Sequence, residues 1–115
     1  MELICAAGRR AVALPGDIRD EAFCKKMVAN AVSGLGGLDL LVSNAGRQQA
    51  RDSILYITDE DFDATTKTNV HAPFWIIRAA LPDMPPGSTI IATTRNRPTI
   101  PPLISMIIRR PRRRR

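Results

Sequence analysis

The apolar residues of this 115-residue chain fall into short runs that alternate with longer segments of helical periodicity. The runs at 11–14, 38–42 and 89–93 are bounded by glycine, proline or polar residues, which is typical of buried parallel strands. Residues 19–33 and 58–81 repeat apolar side chains at helical spacing, which predicts two amphipathic helices. The order strand, helix, strand, helix, strand predicts an α/β fold with about three parallel strands.

Residues that start, stop or bend helices mark the boundaries of these segments. Gly34 is well placed to end the first helix. Thr58 precedes three acidic residues, a pattern that predicts a capped helix start. Pro73 lies inside the second helix, where it must bend the helix or remove a backbone hydrogen bond. Residues 2–7 are expected to be the last turns of another helix, which ends near Gly8.

The charge of the chain is divided at residue 94. The net charge of +6 comes from 17 basic and 11 acidic residues, but eight arginines and no acids lie in residues 95–115. Residues 1–94 therefore carry nine basic residues against all 11 acids, a net charge of −2. We predict a folded domain over residues 1–94 and an irregular, disordered Arg/Pro-rich tail over residues 95–115.

The sequence indicates neither secretion nor insertion into a membrane. No apolar run approaches the length of a membrane span, and the first residues lack the features of a signal peptide. Cys5 and Cys24 have no metal-ligand spacing, and they are expected to be buried thiols in a reducing compartment. His71 has no second ligand near it in the sequence. We therefore expect a cytoplasmic protein without a metal site.

Three segments carry a likeness to a known family. Leu-Pro-Gly-Asp-Ile at 14–18 follows the first predicted strand, Ser-Asn-Ala-Gly at 43–46 follows the second, and Thr-Asn-Val at 68–70 lies in the second helix. Together they resemble the short-chain dehydrogenase/reductase family, and the surrounding sequence resembles its glucose- and ribitol-dehydrogenase-like branch. Ser43 stands where the family has asparagine. The resemblance implies a partial Rossmann-like, doubly wound fold over residues 1–94.

The resemblance also implies an NAD or NADP cofactor and assigns it a set of contacts. Asp17 would contact the adenine amino group, and the Ile18 backbone would pack beside the adenine ring. Asn44, Ala45 and Gly46 would line the cofactor, with Gly46 allowing the ribose to approach closely. The residues alone leave a plainer interpretation open, in which Asp17 caps a helix and the Asn-Ala-Gly segment is an ordinary turn.

The resemblance makes Asn69 the catalytic asparagine, which would bend its helix and hold a water in a proton relay to a lysine. The family's other catalytic groups have no counterpart in these 115 residues. The catalytic serine is expected after Thr94, where Arg95 stands, and no Tyr-x-x-x-Lys follows. Tyr56 is the single tyrosine. We therefore expect an inactive fragment of an NAD(P)-dependent oxidoreductase.

By the same resemblance, the chain begins close to the family's third strand and lacks the first two strands with their glycine-rich phosphate loop. Residues 11–14 would then have neither of their neighbouring strands. They would either pair directly with residues 38–42 or leave unpaired edges. We expect marginal stability or aggregation, unless the chain forms a homo-oligomer.

The abrupt break after Thr94 leads to the hypothesis of a change of reading frame. If the frame moves back by one nucleotide, the codons of Met106 and Ile107 must yield aspartate, and the next codon permits tyrosine. Lysine becomes available four places after that tyrosine if Arg112 is encoded as AGA or AGG. A neighbouring frame without Tyr-x-x-x-Lys would refute the hypothesis.

A second class of function rests on the tail. Residues 109–115 hold six arginines and one proline, which would neutralise phosphates strongly and without sequence choice. No aromatic residue lies among them for stacking on bases, so binding would be electrostatic and sensitive to salt. The alternative to a dehydrogenase fragment is therefore a nucleic-acid-binding protein that acts through this tail.

Overall fold

A computed structural model describes residues 1–93. The elements are, in order, α1 (Glu2–Ala6), α2 (Glu21–Leu35), β1 (Leu40–Ser43), α3 (Asp59–Thr66), a π-helical turn (Lys67–His71), α4 (Ala72–Ala80) and β2 (Thr89–Ala92). Short 3-10 turns at Ile54–Tyr56 and Leu81–Asp83 precede α3 and follow α4. The predicted tail, its boundary after Thr94 and the reading-frame hypothesis lie outside the described residues.

Helix α2 begins and ends where its flanking residues satisfy backbone groups. The Asp20 carboxylate accepts a hydrogen bond from the Ala22 amide at 2.9 Å, so Asp20 caps this helix and Asp17 does not. Gly36 follows the last helical residue with a φ of 85°, a left-handed conformation that glycine adopts without steric strain. The predicted end at Gly34 is therefore wrong by two residues.

The second predicted helix is present as α3 and α4, which the π turn connects. Its start is confirmed, because the Thr58 hydroxyl accepts a hydrogen bond from the Asp61 amide at 3.1 Å. The distortion expected from Pro73 is also present. Pro73 has no N–H for a bond to the fourth preceding carbonyl, and the chain widens just before it, where the Ala72 amide bonds to the Lys67 carbonyl five residues back.

β1 and β2 form a two-stranded parallel sheet whose register pairs Leu41 with Ile90 and Val42 with Ile91. Side chains alternate between its two faces. Leu41 and Ile90 pack into the core, whereas Leu40, Val42 and Ile91 are 53%, 53% and 42% exposed. Within the described residues, one face of the sheet is therefore covered and the other is open.

The core lies between the covered face of the sheet and the pair formed by α2 and α4. Its fully buried members are Val28, Ala80, Met84 and Ile90. Half-buried hydrophobic residues that pack around these four are Val32, Leu38, Leu41, Ile76, Ile77 and Ala79. At the surface, the Arg78 guanidinium of α4 meets the Glu21 carboxylate of α2 at 2.6 Å. This packing joins the two helices and the sheet into one unit.

The predicted α/β class with parallel strands is confirmed, but the strand predicted over residues 11–14 is not formed. Across residues 1–93 the sheet has two strands instead of about three. The physical reason is the lack of partners, because a strand needs neighbouring amides and carbonyls to complete its hydrogen bonds. Val12 instead lies beside α2, with its Cγ2 3.0 Å from the position that a methyl group on Gly34 would occupy.

Candidate functional site

A cleft opens at the carboxyl ends of β1 and β2, the edge at which ligands bind to open parallel sheets. Its volume is about 730 Å³, and its lining comes from the segment after β1, the π turn, the start of α4 and the end of β2. The lining residues are Ser43 to Gln48, Asn69, Pro73, Ala92 and Thr93. Asn44, Ala45, Gly46 and Asn69, four of the six site residues predicted from the sequence, therefore lie together.

Asn69 holds the segment after β1 through two hydrogen bonds to a single residue. Its Oδ1 accepts from the Arg47 amide at 2.8 Å, and its Nδ2 donates to the Arg47 carbonyl at 2.7 Å. A side-chain amide can do this because it carries a donor and an acceptor on neighbouring atoms. The geometry thus gives the Asn69 side chain a positioning task at the cleft.

Gly46 has room for a side chain as far as the protein's own atoms are concerned. A methyl group added there would lie 3.7 Å from Asn69 Oδ1, an ordinary van der Waals distance. Its φ also lies outside the left-handed region that favours glycine. Neither packing nor backbone conformation therefore explains the glycine. The missing side chain leaves space inside the cleft, which fits the close approach of a ligand.

The remaining lining combines polar and apolar groups. Asn44 and Gln48 bring side-chain amides to the cleft, and both residues are exposed, so each amide can donate and accept hydrogen bonds. Ala45, Pro73 and Ala92 add apolar surface. A few directional polar groups on a mainly apolar wall are typical of sites for small organic ligands. This mixture of amide and apolar groups fits a ligand such as a dinucleotide, which carries both polar groups and flat rings.

Asp61, in the first turn of α3, lies between two arginines of the segment after β1. Its Oδ1 is 3.1 Å from Arg47 Nη2 and its Oδ2 is 2.8 Å from Arg51 Nη2. The hydrogen bond from Arg51 is the main cause that holds the pKa of the Asp61 carboxyl below its ordinary value. Arg47 also donates to Gln49 Oε1 at 3.0 Å, and its buried Nε has no partner among residues 1–93.

Asp17 and Ile18 are not part of the cleft lining and lie in the turn that leads into α2. The Arg19 guanidinium binds the Asp17 carboxylate at 2.6 Å and lowers its pKa to about 2. The Ile18 carbonyl accepts a hydrogen bond from the Cys24 thiol at 3.2 Å. The structure does not bring these two residues to the other four, and their contact with adenine stays a prediction.

The described part of the cleft contains no group suited to proton transfer. Its one ionisable side chain is Arg47, and a guanidinium does not give up its proton in proteins. Tyr56 is 66% exposed in a 3-10 turn outside the lining. His71 stacks on Trp75 with ring centroids 5.4 Å apart and does not line the cleft either.

Two further properties hold for residues 1–93. They contain no group of three or more His, Cys, Asp or Glu side chains arranged to hold a metal ion. None of the helices they form is long and apolar enough to cross a membrane.

Comparison with known proteins assigns the family, because the family model described as short chain dehydrogenase matches residues 1–96. The chain belongs to the short chain dehydrogenase family. Over 93 residues it is 46% identical to the uncharacterized oxidoreductase YhxD of Bacillus subtilis (strain 168), in an alignment that covers 81% of this chain and 31% of YhxD. Over 83 residues it is 37% identical to the glucose and ribitol dehydrogenase of Daucus carota, in an alignment that covers 72% of this chain and 28% of that protein.

A solved short chain dehydrogenase from Burkholderia cenocepacia J2315, in complex with NADP, has the same fold. The TM-score is 0.75 with 36% sequence identity, over 79% of this chain and 37% of that one. The predicted family, its likeness to glucose and ribitol dehydrogenase and the partial Rossmann-like fold are thereby confirmed. The chain spans about a third of the length of these three proteins.

Sequence reasoning missed Arg47 and Asp61 as parts of the site. The position of Arg47 directly after the Asn-Ala-Gly segment was the available signal, because a residue that follows a cleft-lining segment lies near the same cleft. Asp61 gave no such signal, since three neighbouring acids occupy the start of α3 and the sequence does not tell which one contacts Arg47.

Proposed function

We propose that residues 1–93 form one side of the NAD(P)-binding cleft of a short-chain oxidoreductase. The observation that supports this most is the meeting of Asn69 with Asn44, Ala45 and Gly46 in one cleft at the carboxyl ends of parallel strands. The NADP held by the Burkholderia dehydrogenase supports a dinucleotide of this class. The proposal includes both NAD and NADP. When bound, the cofactor would supply hydride transfer, which is its own chemistry.

Each residue of the lining has a task in this proposal. The amides of Asn44 and Gln48 donate to and accept from the ribose and carboxamide of the cofactor. Ala45 packs against its apolar surface, and Gly46 leaves room for it. Asp17 and the Ile18 backbone contact the adenine, as the family resemblance implies.

Asn69 contributes in a second way, through its backbone carbonyl. Its side chain already makes both hydrogen bonds with Arg47. Pro73, four residues later, has no N–H, so it cannot make the usual helical hydrogen bond to the Asn69 carbonyl. We assign to this oxygen the water that the family resemblance gives to the catalytic asparagine.

The 115 residues alone are proposed to bind a dinucleotide weakly and to leave it unreacted. They contain no Tyr-x-x-x-Lys, and Arg95 stands where the resemblance expects serine. A positioned acid or base typically contributes about 10²–10⁴-fold to the rate. Because the Arg47 guanidinium cannot act as a general acid or base, turnover by these residues is expected to fall below detection.

Titration of the isotopically labelled 115-residue chain with NADPH and NADH, followed by amide resonances, tests the binding. We expect shifts at residues 43–48, at Asn69 and at Thr93. Asn44→Ala should reduce them, whereas Asn30→Ala, on an exposed turn of α2, should not. If millimolar nucleotide causes no shifts at these positions, the proposal that the cleft binds the nucleotide is wrong. If the chain oxidises the nucleotide in the presence of carbonyl substrates, the proposal that it is inactive is wrong.

A second function, electrostatic binding of nucleic acid, is supported by the arginine-rich composition of residues 95–115. That segment lies outside the described residues. The expectation of two buried thiols is confirmed for Cys24 and is wrong for Cys5, which is exposed. The proposal keeps a cytoplasmic location, where thiols stay reduced. A homo-oligomer would cover the open face of the sheet, and sedimentation across a range of protein concentrations tests it.

A further inference from the structure

The segment that follows β1 is attached to α3 by one carboxylate with two arginines. Asp61 offers one oxygen to Arg47 and the other to Arg51, and its side chain is 20% exposed, compared with 38% and 39% for the two arginines. The two arginines are four residues apart on an irregular segment. One helical side chain therefore holds two points of that segment.

Arg47 is the residue at which the attachments to α3 and to the π turn meet. Its backbone is bound on both sides by Asn69, and its guanidinium is bound by Asp61 and Gln49. Arg47 itself lines the cleft and follows Gly46 directly, so the contacts that hold Arg47 also limit where the lining residues before it can lie. The backbone of this segment has no sheet or helix bonds of its own to resist such movement.

The ion pair of the neighbouring residue Asp63 is an ordinary surface contact, and the contacts of Asp61 differ from it. Asp63 forms an ion pair at 2.8 Å with Lys67, which follows it by four residues along the same helical stretch, and the Asp63 side chain is 61% exposed. Such pairs contribute little to stability. Asp61 is more shielded and joins separate parts of the chain. The helix start does not need its carboxylate, because the Thr58 hydroxyl caps the Asp61 backbone amide.

We propose that Asp61 is a positioning residue of the cleft, whose carboxylate holds Arg47 and Arg51 and thereby fixes residues 44–48 in the position that receives the cofactor. The second half of this statement rests on the proposed function, whereas the first half does not. The two halves can be tested separately, because release of the arginines is measurable without a nucleotide.

Limited trypsin digestion of the 115-residue chain measures the release. A bound arginine must leave Asp61 before trypsin can accept it, so Asp61→Asn should speed cleavage after Arg47 and Arg51 severalfold. Asp63→Asn, the matched control, should not change these rates. Asp61→Glu keeps the carboxylate and should restore at least part of the protection.

The digestion contains its own controls for unfolding and for charge. Cleavage after Arg78, in α4, should stay the same in all variants, and an increase at Arg78 equal to that at Arg47 would contradict the proposal by showing global unfolding. Added salt should weaken the protection in the unchanged chain and have less effect in Asp61→Asn. Equal cleavage of the unchanged chain and Asp61→Asn would refute the attachment.

Repeating the NADPH titration with Asp61→Asn tests the effect on the cleft. We expect the shifts at residues 43–48 to weaken severalfold, while Asp63→Asn behaves like the unchanged chain. Faster cleavage with unaltered nucleotide binding would overturn the positioning role. Faster cleavage in a chain that binds no nucleotide in any variant would refute the proposed function and leave the attachment by Asp61 in place.

Discussion

The pair of hydrogen bonds between Asn69 and the Arg47 backbone provides the sharpest test of how the cleft is held. Asn69→Ala removes both bonds, which are 2.8 and 2.7 Å long. A protein hydrogen bond contributes about 0.5–1.5 kcal/mol net, and both bonds are exposed to water, so we expect a loss of about 1–2 kcal/mol for local opening. Such a loss corresponds to roughly tenfold more frequent opening at Arg47.

Hydrogen exchange of the Arg47 amide measures this opening directly. Exchange at Arg47 should become about tenfold faster, whereas the melting temperature should change less, because alanine favours the helix by about 0.6 kcal/mol over asparagine. Thr68→Ala is the control, since it removes a bond to the Ala64 carbonyl inside the helix and leaves Arg47 untouched. Unchanged exchange at Arg47 in Asn69→Ala would show that the side-chain amide does not hold this segment.

Three further predictions follow from the fold, one carboxyl group and the tail. Ile90→Ala should lower the free energy of unfolding in urea by about 3 kcal/mol, whereas Ile91→Ala, on the open face, should lower it by less than about 1 kcal/mol; equal losses would contradict the assigned faces. The Asp17 carboxyl should titrate near pH 2 by NMR and return toward 3.8 in Arg19→Ala, so its stabilising contribution is complete above pH 4 and is lost as the pH falls through 2. Deletion of residues 109–115 should abolish polynucleotide binding, and in the unchanged chain that binding should fall steeply with salt; retained binding would place the site elsewhere.

Local signals in the sequence were sufficient for the helices and for the sheet that formed. The hydroxyl of Thr58 followed by acids, the kink at Pro73 and the apolar runs that became β1 and β2 depend on residues close together in the chain. The helix end was placed two residues early, because three glycines, at positions 34, 36 and 37, can each end a helix and the sequence alone does not show which one follows the last helical residue. In the structure, Gly36 follows the last helical residue and adopts the positive φ.

The other errors concern contacts between distant residues. Residues 11–14 have the composition of a strand, yet a strand forms only where another strand offers hydrogen-bond partners. Asp61 could not be distinguished from Asp59 and Glu60 by position in the sequence, because its partners lie 10 and 14 residues before it. For the same reason the family motif identified Asn69 but did not reveal that its side chain is bound to Arg47.

The pairing of β1 with β2 has a consequence for the order in which the chain folds. The paired residues Leu40 and Thr89 are about 50 residues apart, so joining the strands first would close a loop at an entropic cost of about 3 kcal/mol. Docking of α2 on α4 closes a loop of similar length, because Val28 and Ala80 are also about 50 residues apart, but the burial of both side chains offsets that cost. Once the helices are docked, only short connections separate each of them from its strand. The helix pair should therefore act as the folding nucleus. In a mutational analysis of folding kinetics, the φ-value of folding should be high at Val28 and low in both strands.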